Sequence, residues 1–156
     1  MKKCKKFKQN YNPFTGEPAE GMEGYGPTMS AVLEYISILC GVNISYNEIF
    51  WSAALDGEYE YTQNISDHKY TLKHKNNKAE IYIDEKVIAV FSKGVRVKTD
   101  MCGKVISIYG IDKDEVDFEM EYMNKKYSAK IKPNDELTFC GEALDLKVRV
   151  PFDYNE

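Results

Sequence analysis

The chain has 156 residues, 43% of them hydrophobic and 13% aromatic, which suits one domain with one packed core. No apolar run approaches the roughly 20 residues of a membrane-spanning helix, and the basic start MKKCKKFK leads into polar QNYN instead of the apolar stretch of a signal peptide. These features predict a cytoplasmic protein without a membrane partner, and the net charge of −4 sets aside a generally basic, nucleic-acid-coating surface.

The net charge conceals an asymmetry. Residues 1–8 carry five lysines and no acid, residues 9–68 carry nine acids and no base, and residues 69–156 carry sixteen of each. An acidic segment thus precedes a balanced one, and the two would present different faces to a partner. The four cysteines, Cys4, Cys40, Cys102 and Cys140, form no Cys-x-x-Cys pair. Free thiols are expected, with Cys40 and Cys140 as small core residues.

Residues 1–25 are broken by Pro13, Gly16, Pro18, Gly21 and Gly24, and predict an extended arm. Its Tyr11, Phe14, Met22 and Tyr25 suit a contact segment.

Residues 26–57 predict a helical hairpin. Pro27 suits a first helical position, and Met29, Val32, Leu33, Ile36, Leu39 and Cys40 repeat at helical spacing before Gly41. Ser45 and Glu48 have the spacing of a capping box, and Ile44 and Ile49 that of a hydrophobic staple. A second helix is therefore expected through Phe50, Trp51 and Ala53 to Leu55, stopped by Gly57. Ala31, Tyr35 and Ile38 give the first helix another apolar row. Such a helix either lies between the second helix and a sheet or docks a partner or a second copy. The pair also has the outline of a DNA-reading helix-turn-helix, but a base-free segment opposes contact with phosphates, so direct nucleic-acid binding is not expected.

Residues 58–152 read as short strands. Tyr59 and Tyr61 alternate with Glu58 and Glu60. Asn76-Asn77 suits a two-residue turn that would place Leu72 opposite Ile81 and Lys73 opposite Glu80. Val87 to Phe91 is a continuous apolar run, expected to be buried on both faces. Lys93-Gly94 turns into Val95 and Val97, with Arg96 and Lys98 pointing outward. Val105 to Tyr109 is a further strand. A loop at Asn124-Lys125 would set Glu119 opposite Lys130, Asp117 opposite Lys132, Tyr122 opposite Tyr127 and Phe118 opposite Ile131. Leu137 to Phe139 and Leu144 to Val150 complete the set. The fold class expected is α+β: one domain over 26–156, with the N-terminal helical hairpin packed on an antiparallel β meander. That meander would form a small barrel or two-sheet sandwich of about seven to nine strands.

No nucleophile elbow, phosphate loop, dinucleotide fingerprint or zinc-protease motif occurs, and His68 and His74 lack diagnostic ligand spacing. No catalytic, metal or cofactor residue is assigned. The composition supports a non-catalytic binding protein: an acidic inhibitor of toxin-immunity or phage anti-defence type that occludes a basic protein surface. Glu48, Trp51, Glu58, Tyr59, Glu60 and Tyr61 would form the contact, the aromatics as anchors and the carboxylates for steering. One alternative is a β-barrel that sequesters a small ligand such as a nucleotide signal, with Arg96 and Arg149 in the pocket. Another is a structural subunit of a phage or multiprotein assembly that self-associates through the helical hairpin.

Overall fold

A computed structural model describes residues 26–140 and 143–147. The arm, Arg149 and the side chains of Cys40 and Cys140 lie outside the described residues. The chain divides at Ser37 into two units, the first described through its helix and the second through its sheets.

Among the described residues there is one helix, α1 (Gly26–Cys40), followed by twelve strands. Helix α1 exposes Met29, Leu33, Tyr35 and Ile36, and the Ser37 hydroxyl donates to the Glu34 carbonyl at 2.8 Å. It is not long and apolar enough to cross a membrane.

The helical hairpin is absent. In place of a second helix, β1 (Val42–Ser45) and β2 (Glu48–Ser52) form an antiparallel β-hairpin. The residues that suggested a capping box, Ser45 and Glu48, instead close a turn through Tyr46-Asn47. Tyr46 takes a positive φ of 56° there. The staple pair, Ile44 and Ile49, are cross-strand neighbours, and so are Val42 and Trp51. A spacing of three residues fits both motifs; the β-branched and aromatic content of VNIS and EIFWS favours strands, and burial alternates along β2 from Glu48 to Trp51.

The remaining strands are β3 (Tyr59–Ile65), β4 (His68–Lys75), β5 (Lys78–Ile83), β6 (Lys86–Ser92), β7 (Val95–Asp100), β8 (Val105–Gly110), β9 (Val116–Tyr122), β10 (Lys125–Ile131), β11 (Glu136–Cys140) and β12 (Ala143–Leu146). They build two six-stranded antiparallel sheets. Sheet I runs β1-β2-β7-β8-β11-β12 and sheet II runs β10-β9-β6-β5-β4-β3. The chain forms β3 to β6 as a continuous meander in sheet II, then crosses between sheets in pairs of strands, so the whole is no simple meander.

The Asn76-Asn77 turn has both residues at positive φ, and Leu72 opposes Ile81 while Lys73 opposes Glu80. The next long hairpin is displaced from the expected register. Its turn is Met123-Asn124, both at positive φ, so Tyr122 opposes Lys125, Phe118 opposes Ala129 and Asp117 opposes Lys130. The displacement is an even number of residues, which keeps every side chain on its expected face. Strand β6 is interior to sheet II but buried on one face only. A bulge opposite Ile81/Tyr82 turns Val87 outward, where it is 49% exposed. A row of cross-strand neighbours covers that outer face: Lys126, Glu121, Val90, Glu80, Lys73 and Glu60, one from each strand.

The inner faces of the two sheets share one apolar core. Trp51 of sheet I and Tyr70 of sheet II meet at a ring-centroid distance of 6.3 Å, and Tyr122 meets Phe139 at 5.8 Å. Trp51 is fully buried, and its indole N–H donates to the equally buried Thr99 hydroxyl at 2.9 Å. The largest core side chain thus leaves no unpaired donor. Trp51→Ala should destabilise the fold by about 3–5 kcal/mol through lost burial and the cavity left behind. Denaturant unfolding checks this, and a loss below about 1 kcal/mol would place Trp51 outside the core.

Candidate functional site

The residues expected to contact a partner fall into separate environments. Glu48 and Trp51 are an odd number of positions apart on β2, so they point to opposite faces. Trp51 is in the core, which removes it as a surface anchor. Glu48 pairs with Lys98 at 3.2 Å on the outer face of sheet I, where the Lys98 ammonium also lies 6.0 Å from the Phe50 ring. Burial pulls the Lys98 pKa down, but Glu48 and Tyr109 outweigh it and hold it above the usual value.

Glu58, Tyr59, Glu60 and Tyr61 stay together, at the start of β3, the terminal strand of sheet II. Tyr59 and Tyr61 are half-buried on the inner side. Tyr59 stacks on the buried His74 ring at 4.9 Å, and His74 Nδ1 is 2.6 Å from the Gly57 carbonyl oxygen. The glutamates are exposed on the other side. Glu58 meets Lys75 at 3.7 Å and Glu60 meets Lys73 at 3.4 Å, all four side chains being about half or more exposed. Lys73 also lies 5.2 Å from the Tyr82 ring. The Tyr82 hydroxyl donates to Glu80, and that bond, with burial, pushes its pKa up to about 12. Asp56 is ion-paired with Lys93. Lysines from the balanced segment thus meet four acids of the base-free one.

Arg96 is half-buried on the outer face of sheet I. Its Nε donates to the Ser52 hydroxyl at 2.8 Å, burial pushes its pKa down, and no described carboxylate pairs with it. Beside it runs a chain of polar contacts. The Ser107 hydroxyl donates to Tyr109 at 3.0 Å, Tyr109 donates to Glu136 at 2.9 Å, and Lys147 meets Glu136 at 3.1 Å.

No family model, curated protein or solved structure matches the chain.

Two hollows are lined by described residues of the β unit. A small one of about 280 Å³ lies on the outer face of sheet II, where Lys78 and Lys126 balance Glu119 and Glu121. The larger, about 710 Å³, lies where the first half of β6, the β7–β8 connection and the β9–β10 turn converge. Four lysines and one glutamate line it. These lysines come from three distant segments, and nothing in linear spacing marks them as a group; the only signal is that Lys86, Lys104 and Lys125 sit in or next to a turn. Among the described residues no cluster of three or more His, Cys, Asp or Glu could hold a metal.

Burial pushes the Glu136 pKa up, but hydrogen bonds from Tyr109, Lys147 and Ser107 hold it below its ordinary 4.5. A depressed carboxylate pKa contributes stability that is present above the unfolded value and lost as pH falls through the folded one. Glu136→Gln should therefore flatten the acid limb of a Tm-versus-pH curve below about pH 4.5. An unchanged acid limb would contradict the contacts assigned to Glu136.

Proposed function

We propose that this is a non-catalytic binding protein that engages a basic surface of another protein along strand β3, acting as an inhibitor by occlusion. The observation that carries the proposal is the location of Glu58-Tyr59-Glu60-Tyr61. This acidic and aromatic stretch runs into a sheet edge with only β4 as its hydrogen-bonded neighbour among the described strands. An edge strand offers main-chain donors and acceptors to an incoming extended segment. No residue of β3 is fully buried. The Glu58–Lys75 and Glu60–Lys73 pairs are long and exposed, so each is worth well under about 1 kcal/mol. A partner's lysines or arginines can replace Lys73 and Lys75 at little cost, and steering by the carboxylates would make association salt-dependent. Toxin-immunity and anti-defence proteins are the functional types that fit such a contact.

Binding to an immobilised panel of basic proteins, including nucleases, at low and high salt tests the proposal. The wild type should retain at least one of them, more weakly as salt rises. Glu58→Lys/Glu60→Lys should weaken that retention by roughly tenfold or more, while circular dichroism remains unchanged. Retention of none, or retention indifferent to both salt and the double substitution, would reject the proposal.

A further inference from the structure

We propose that the 710 Å³ cleft at the β7–β8 and β9–β10 turns is a binding site for a nucleoside polyphosphate, separate from the β3 edge. Its volume lies within the roughly 300–1,000 Å³ of small-molecule sites. Its lining combines two chemistries. Lys86, Lys104, Lys125 and Lys126 supply cationic donors, against one acid, Glu121, which meets Lys126 at 3.3 Å. Lys86 and Lys104 are exposed, and neither has a carboxylate partner among the described residues. Val87 and Met123, 49% and 69% exposed, offer an apolar surface beside those charges. Exposed apolar side chains set beside Lys86 and Lys104 fit a ligand with a flat, weakly polar body and several negative charges.

The cleft is built, not incidental. Asp100 accepts hydrogen bonds from the Cys102 and Lys104 amides, each at 2.9 Å, which fixes the connection that carries Lys104. Gly103 has a φ of 88°, and a Cβ there would come within 2.9 Å of Ile88. Only glycine lets this turn seat against β6 and hold the wall closed. Tyr122 is buried at the base, its hydroxyl accepting from the Val105 amide at 3.3 Å. That bond ties β8 of sheet I to β9 of sheet II beside the cleft. A polyphosphate would bridge Lys86 and Lys104 at the mouth, with the base laid on Val87 and Met123. The acidity of the whole chain does not oppose this, because screening confines exposed charges to a range of roughly 8 Å at physiological salt.

Titration calorimetry on the full chain tests the site with ATP, inorganic triphosphate and a single-stranded oligonucleotide as probes. ATP should bind, triphosphate should bind more weakly, and the oligonucleotide should not exceed ATP. Lys86→Glu and Lys104→Glu should each weaken ATP binding by roughly tenfold or more. Both positions are exposed, so the fold should persist, with circular dichroism as the control. Bound ATP should also slow alkylation of the exposed Cys102 thiol, read by peptide mass spectrometry. Failure of ATP to bind, tighter binding of the oligonucleotide, binding that survives both substitutions, or unprotected Cys102 would each overturn the assignment.

Discussion

The structure of the β unit depends on the burial of Trp51 between two sheets. Its ring meets Tyr70 of the opposite sheet, and its N–H is satisfied by Thr99 on the neighbouring strand. A bulky apolar ring with one polar atom can be fully buried only when that atom has a partner. Thr99 supplies the partner because β7 pairs with β2 in a register that sets Ile49 opposite Thr99 and Trp51 opposite Val97. The choice of strand over helix for 48–52 is thus tied to the pairing of β2 with β7. A helix there would turn Ile49 and Trp51, which share the inner face of β2, to opposite sides and forfeit the ladder.

The second constraint is charge placement. Every base-free acid that β2, β3 or the loop between them presents beside a lysine comes to rest against the balanced segment: Glu48 on Lys98, Asp56 on Lys93, Glu58 on Lys75 and Glu60 on Lys73. The acidic stretch is therefore partly screened by its own fold. The carboxylates of the edge strand β3 are held only by exposed lysines, while cationic character gathers at the distant turns. The two proposed sites answer to opposite chemistries and lie on different elements.

Short-range features of the fold were legible in the sequence where a turn residue and an alternating pattern agreed. Asn76-Asn77 fixed the register that joins Leu72 to Ile81. The β9–β10 hairpin was placed two residues out because Met123, not a usual turn former, takes a positive φ. Its faces survived because the slip was even. Residues 45–55 misled because Ser-x-x-Glu flanks a helix start and a tight β-turn equally well, and the decision lies in the non-local pairing with β7. The outward turn of Val87 follows from a bulge, which leaves no mark in an apolar run. The edge position of β3 and the convergence of Lys86, Lys104, Lys125 and Lys126 are products of strand order, which periodicity does not specify.

Residues 42–52 form a β-hairpin whose tryptophan joins the two sheets. Nuclear Overhauser contacts in the isotope-labelled protein test this most directly. The structure predicts cross-strand contacts between Val42 and Trp51 and between Ile44 and Ile49, together with contacts from the Trp51 indole to the Tyr70 ring. Sequential helical contacts from Ser45 through Leu55, without any between Trp51 and Tyr70, would contradict it.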